Sequence, residues 1–420
     1  SNAKQGLAMT PQAFSYPTVS NNGKIYIPPY GLNEIVDYML KFDPVDNSFK
    51  KIKLEVNALP EKWQCGIAYR NKVYFLPYNE DNILVVNTDD DSIEYVNVNH
   101  PGKGKYIQAH IHGDKLIALP YGEHDPYDYV LTFYFRNNLA TFHKIKLPKN
   151  DSKKWHTTQM VDGIIYGLPR GENWEDTFNY RISYDCNSGE YEIADMSPIW
   201  LDYNKQPMNN KKYTTMAKVG NRLYAPPYSE NPEFDILSKF VNGDWYSERT
   251  GIKGTSRKYF SHTVASNGKV FFPPAGHDED WSEMLVVDSI KDNGNDKYWH
   301  TIDLNIGKES KKYFAGVENS QGKIYYIPRG GCVCEPEDTW KSQGDLNSVL
   351  VIDIYTEKFY TIDISDHFKE FTTIEKYNKC VLIDDVIYAF PYGESKDFHQ
   401  LLIFDTLADK VLETIDLRNV

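Results

Sequence analysis

Cysteine is scarce in this chain of 420 residues. The five copies (Cys65, Cys186, Cys332, Cys334, Cys380) are odd in number and scattered, which excludes a disulfide framework as the organising device. Long apolar runs are missing too. None exceeds about seven residues, against the ~20 of a membrane helix, and no charged-then-apolar leader opens the chain, so membrane insertion is not expected. Positive charge is in deficit, with 46 Lys and Arg against 59 Asp and Glu and a net charge of -13. A nucleic-acid backbone would be repelled, and no nucleic-acid partner is expected. No G-x-S-x-G elbow, phosphate loop, G-x-G-x-x-G stretch in a βαβ context or Ser-x-Asp-x-Gly-x-x-Trp box occurs. No cofactor is implied. His110 and His112 alternate along one strand, a spacing that could ligate a metal with His156 but more commonly marks hydrogen-bonded strand histidines; Cys332 and Cys334 share one loop without companion Cys or His nearby, and no metal site is assigned. Ser1, Asn2 and Ala3 read as a cloning scar. The compartment, cytoplasmic or secreted, stays open.

What the chain has instead is one phrase repeated eight times: a turn, a short apolar run containing an aromatic or other bulky residue, then a proline and a loop. Examples are GKIYIPPYG from Gly23, NKVYFLPYN from Asn71, GKIYYIPRG from Gly322 and DVIYAFPYG from Asp385. A repeat near fifty residues with several short strands predicts an all-β fold, a β-propeller of eight four-stranded blades with seven as the fallback. Eight such units account for about 400 residues, so residues 4–420 are expected to form a single propeller domain.

Within each unit the first strand, A, opens on Lys and an aromatic (KWQCGIAY from Lys62, KYFSHTVA from Lys258) and is small and polar in its middle, as suits an inner strand. Strand B is the phrase itself, ended by a proline that has no N–H to donate. Strand C is a near-continuous apolar run such as ILVVN from Ile83 or VLVID from Val349, expected between two neighbouring blades. Strand D is the less apolar outer strand, as in SFKKI from Ser48. The aspartates ending strand C (Asp43, Asp185, Asp288, Asp353, Asp405) are expected to bond local backbone in the C–D turn.

These features resemble the kelch-type propellers. An apolar strand follows a short turn (SNGKVFF, Ser266 to Phe272), a strand ends in Asp, and an aromatic strand follows soon after (Trp245, Trp299, Phe359). The likeness covers nearly the whole chain. It departs where a paired glycine should follow strand B, since Pro-x-Gly, Pro-x-Ser or Pro-x-Asn stands there. It implies a non-catalytic interaction module.

A four-strand meander sends the B–C and D–A loops to one end of every blade. Length variation concentrates there: the B–C connection grows from about four residues after Tyr78 to about eighteen between Gly330 and Val349. That face is the expected binding surface. After the proline stand Tyr30, Tyr78, Tyr121, Arg170, Tyr228, Ala275, Arg329 and Tyr392, and five units carry a glutamate two residues on (Glu80, Glu123, Glu172, Glu230, Glu394). One reading is that these serve the repeat, with Lys and Glu pairing between blades and Tyr packing on the next blade. The other looks to breaks in the repeat. Arg170 and Arg329 replace tyrosine, His277 replaces glutamate, His156 and His262 lie on strand A, and Trp174 and Trp281 lie on B–C loops. Guanidinium forks suit carboxylate, phosphate or sulfate, and the tryptophans would offer stacking surfaces.

The expected function is therefore a monomeric, non-catalytic module that binds a protein, peptide or glycan on the B–C and D–A face. The alternative is a propeller hydrolase, lyase or epimerase acting on a sugar or anionic small molecule at the channel mouth, with His156, His262 or His277 as general base.

Overall fold

A computed structural model describes residues 16–30, 36–57, 59–171, 178–208, 211–229, 231–253, 257–276, 281–306, 312–330, 346–371, 375–391 and 398–420. The repeats fold as eight sheets, each of four antiparallel strands hydrogen-bonded in chain order, which we label A to D. This is the arrangement of an eight-bladed β-propeller, with eight blades rather than the fallback of seven. Among the described residues there is no α-helix, only 3-10 turns such as Ser365–His367 and Leu417–Asn419, so no helix is long and apolar enough to cross a membrane. The chain divides into two compact units: residues 12–214 carry blades 1 to 4, and residues 215–420 carry blades 5 to 8.

Strand C shows why its sequence is apolar throughout. In blade 7 it spans Ser348–Asp353, and Val349, Leu350, Val351 and Ile352 are all fully buried. Successive side chains point to opposite faces of a strand. Leu350 and Ile352 accordingly join Met284 and Val286 of blade 6, while Val349 and Val351 join Leu402 and Phe404 of blade 8. In this blade two cores share one strand, and apolar side chains fill both faces. Full burial of each such side chain contributes about 1.5–3 kcal/mol.

Strand A is often shorter than its sequence suggests. The run from Lys258 pairs as a named strand over Thr263–Val264 alone, with an isolated bridge from Tyr259 to Pro274. The small residues in strand A answer to close packing. A Cβ built on Gly66 would lie 2.2 Å from Thr18 Oγ1 on blade 1 and 2.7 Å from the Phe75 ring, and one on Gly316 would lie 2.2 Å from the Tyr326 ring.

The prolines close strand B as expected. Pro77, Pro328 and Pro391 are the last residues of their strands, paired with Trp63, Tyr313 and Tyr377. The C–D aspartates bind turn backbone: Asp43 Oδ1 accepts from Val45 N–H at 3.0 Å, Asp185 from Asn187 at 2.8 Å, Asp288 from Ile290 at 3.1 Å, Asp353 from Tyr355 at 2.8 Å and Asp405 from Leu407 at 2.9 Å.

Candidate functional site

Among the described residues, the one after the proline has in most blades a backbone duty that its side chain conceals. Its N–H donates to the carbonyl of the strand-A lysine in the same blade, and its own carbonyl accepts the N–H of the lysine opening the next blade. In residues 12–214 the bonds run unbroken. Lys62 N–H reaches Tyr30 O at 3.1 Å, Tyr78 N–H reaches Lys62 O at 2.9 Å, and Lys105 N–H reaches Tyr78 O at 3.0 Å. Tyr121 N–H then reaches Lys105 O at 2.8 Å, Lys154 N–H reaches Tyr121 O at 3.0 Å, Arg170 N–H reaches Lys154 O at 2.9 Å, and Lys212 N–H reaches Arg170 O at 3.1 Å. In residues 215–420 the same bonds join Tyr228 to Lys258, Lys258 to Ala275, Lys312 to Arg329 and Arg329 to Lys376.

The lysine side chains turn inward. Lys62, Lys105, Lys154, Lys212, Lys258, Lys312 and Lys376 are all fully buried. Their ammonium groups cap backbone carbonyls: Lys105 reaches Glu80 O at 2.8 Å, Lys154 reaches Asp151 O at 2.8 Å, Lys258 reaches Pro232 O at 2.7 Å and Lys376 reaches Leu346 O at 3.1 Å. Burial pulls Lys105 down to about 8 and Lys154 and Lys212 to about 7. These ammonium groups thus cap carbonyls, while Lys62 also lies near enough to Glu80 to pull against the burial that raises its carboxyl.

The tyrosines at the post-proline position are buried as well: Tyr30, Tyr78, Tyr121 and Tyr228 are each no more than 6% exposed. Tyr30 and Tyr78 have ring centroids 6.0 Å apart, and Tyr121 meets His156 edge-on at 5.3 Å. Burial raises all three hydroxyls in residues 12–214, so they stay protonated.

Above these rings lies a charged group of side chains. Arg170 Nη1 donates to the Tyr121 hydroxyl at 3.0 Å. Glu123 stands 3.7 Å from Lys153 Nζ, and His124 pairs with Glu61. Burial works to raise the Glu123 carboxyl, but Lys153, Arg170, the Tyr121 hydroxyl and His124 outweigh it and hold it below the usual range. The hydrogen bond to Glu61, set against burial, raises the His124 imidazole. Glu61 sits at φ 52°, a left-handed conformation uncommon for a non-glycine residue. Two carboxylates, the Lys153 and Arg170 cations and the His124 imidazole are thus held close together and part-exposed, over a floor of tyrosine rings.

The corresponding residues of 215–420 are arranged differently. Arg329 is 5% exposed and fully engaged: Nε donates to Asn378 Oδ1 at 2.6 Å, Nη1 to Gly330 O at 3.1 Å and Nη2 to Glu375 Oε1 at 3.4 Å. Its guanidinium lies 4.5 Å over the Phe314 ring, which stacks on Phe260 at 4.3 Å, and Phe260 meets Tyr228 at 5.9 Å. Trp281 is 9% exposed and packs on Tyr259 in the core, which leaves little of its ring to a ligand. His262 Nδ1 bonds Thr215 Oγ1 at 2.6 Å, and burial lowers its pKa to about 4. His156 Nδ1 donates to Thr214 O at 2.9 Å, and burial, then Arg170, lower it to about 3.

Trp174, His277 and Tyr392, with Glu172, Glu230, Glu394, Cys332 and Cys334, lie outside the described residues. His110 bonds Thr158 Oγ1 at 2.8 Å and His112 bonds Asn187 Oδ1 at 3.0 Å, both on blade 4. Sequence reasoning missed Glu61, His124 and Lys153. Apart from His156, it also passed over the position two residues after each of these lysines, occupied by Gln64, Ile107, Thr214, Phe260, Phe314 and Asn378. A scan of the Lys-aromatic-x triplet for its variable member finds that position.

No protein-family model matches the chain, and no curated protein matches it in sequence. Among solved structures it is similar to apo AztD from Citrobacter koseri, with 9% identity and a TM-score of 0.53 over 90% of this chain and 92% of that one. Kluyveromyces lactis Hsv2 aligns at 9% identity and a TM-score of 0.42, over 81% of this chain and 93% of that one. The AztD likeness concerns fold alone. The class the eight four-stranded sheets define is the β-propeller.

Proposed function

We propose that the protein is a kelch-like, non-catalytic binding module. Its site is the group formed by Glu61, Glu123, His124, Lys153 and Arg170 on the B–C and D–A face, and its ligand is a glycan. The carrying observation is Glu123, a carboxylate held ionised at a part-exposed position by Lys153, Arg170 and the Tyr121 hydroxyl. Acceptors and donors balanced in one place, over aromatic rings, suit a ligand that offers hydroxyls as both donor and acceptor. A strongly anionic ligand would face Glu61 and Glu123, and a strongly cationic one Lys153 and Arg170.

The pull on the histidines favours binding over proton transfer. A general base works best with a pKa near the operating pH. His156 at about 3 and His262 at about 4 are weak bases, and each has Nδ1 committed to a neighbour. The kelch-like reading of the repeat rests on the turn-binding aspartates and on the aromatic strand D.

Saturation-transfer NMR with a panel of neutral and acidic oligosaccharides tests the proposal. At least one glycan should give transfer that Arg170→Gln reduces by about tenfold in affinity, the scale of a lost charged hydrogen bond. A panel without any transfer, beside binding of a protein partner, would overturn it.

A further inference from the structure

A second polar site lies apart from the Arg170 group. Between blades 1 and 2, at the end carrying the B–C and D–A loops, is a cleft of about 640 Å³. Its walls are Asp37, before strand C of blade 1, the segment Leu54 to Asn57 after strand D of that blade, Glu80 on the B–C connection of blade 2 and Asn82, which opens strand C of that blade. Glu80 is 4% exposed. Its Oε2 accepts Asn82 Nδ2 at 3.3 Å, but Oε1 accepts no hydrogen bond, and neither does the buried Oδ1 of Asn82. Buried acceptors left in this state are costly, and together these two atoms leave room for a further donor beside the Asn57 amide that already neighbours the carboxyl.

The surroundings narrow what that donor is. Three carboxylates, Asp37, Glu55 and Glu80, line the cleft. Asp37 pairs with Lys53, and Lys62 is the cation facing Glu80, its Nζ donating to Leu59 O. Burial pushes the Glu80 carboxyl up, against the Asn57 amide beside it, so a cation brought to Oε1 would be bound as the carboxylate ionises. A bare metal ion fits poorly. Among the described residues no group of three or more His, Cys, Asp or Glu side chains gathers to hold one, and the volume is that of an organic ligand. Leu54 and Val56 supply an apolar wall beside the acidic one.

We propose that this cleft binds a primary alkylammonium group, with Glu80 Oε1 and Asn82 Oδ1 accepting from the ammonium, Glu55 at the rim, and the alkyl stem against Leu54 and Val56. The group belongs either to a free amine or to a lysine side chain of a peptide. The site is independent of the glycan reading, and either one stands without the other.

Calorimetric titration of the whole chain with cadaverine, with Nα-acetyl-lysine amide and with 1,5-pentanediol tests it. One or both amines should bind at least about tenfold more tightly than the diol, and Glu80→Gln should weaken them by about tenfold. Cadaverine alone would identify a free amine as the source, and the lysine amide alone a peptide. Glu55→Gln, at an exposed position, should cost about threefold and keeps the test open if Glu80→Gln fails to fold. A diol that binds as well as the amines, no heat from either amine, or an affinity unmoved by either variant would overturn the proposal.

Discussion

Arg170 holds the Tyr121 hydroxyl from the neighbouring blade, Nη1 to Oη at 3.0 Å, while Tyr121 O accepts the N–H of Lys154 at 3.0 Å. One residue thus supports both the backbone chain between blades and the charged group above it. Tyr121→Phe keeps the ring and the backbone bonds but removes the acceptor from a guanidinium. It should cost about 2 kcal/mol in urea unfolding, the range of hydrogen bonds to charged groups. A loss within ±0.5 kcal/mol, the scatter of neutral surface changes, would show that Arg170 does not depend on this contact.

The buried lysines set an alkaline dependence. Lys154 and Lys212 fall to about 7 and Lys105 to about 8, against 10.5 for an ordinary lysine. The folded chain therefore releases these protons before the unfolded chain does, and stability rises with pH between about 7 and 10. Lys154→Met should flatten part of that rise when unfolding midpoints at pH 7 and pH 9 are compared. An unchanged slope would mean that Lys154 stays charged when buried.

The acid side has its own source. His156 and His262 are depressed to about 3 and about 4, so in the folded state they stay neutral while the unfolded chain takes up protons below about 6.5. Their contribution is whole above about pH 6.5 and is lost as pH falls toward 4. His124 works in the opposite direction, because Glu61 raises it and its contribution fades as pH rises through its folded pKa. His156→Gln, which keeps a donor for Thr214 O, should make thermal stability less steep between pH 6.5 and 4. A variant as acid-sensitive as the parent would contradict the assignment.

Close packing around strand A predicts a sharp steric penalty. Gly316 faces Tyr326 so closely that an added Cβ would lie 2.2 Å from the ring and 3.0 Å from Thr263 Oγ1. Gly316→Ala should destabilise by about 1–3 kcal/mol through overpacking. Gly220, where a Cβ meets nothing within 4 Å, is no matched control, because its φ of +59° brings a separate strain. Ala315→Gly is the better comparison. A Gly316→Ala melting point equal to the parent's would show that the strand shifts freely.

The architecture was legible because it rests on side-chain pattern. The run ILVVN from Ile83 matches the observed strand Asn82–Asn87, and SFKKI from Ser48 matches Ser48–Lys53, since a strand that feeds two cores must be apolar on both faces. The site was less legible. Lys62, Lys105 and Lys154 read as charges pairing with glutamate between blades, yet they are buried with their ammonium groups on backbone carbonyls, an interaction that leaves no mark on a side-chain pattern. The post-proline tyrosines read either as packing on the next blade or as part of a binding face, and Tyr30, Tyr78, Tyr121 and Tyr228 are buried, Tyr30 against Tyr78 of the next blade. Arg170 and Arg329 look equivalent in the sequence and differ in space, because Glu375 and Asn378 take up the second guanidinium.

Calorimetric titration of the highest-affinity glycan from the NMR panel into the parent protein and into Glu123→Gln tests the central claim most directly. The account predicts that removing this one charge weakens binding by about tenfold or more while the unfolding temperature holds, because Glu123 accepts from the ligand's hydroxyls. Equal affinities for the two proteins would contradict it.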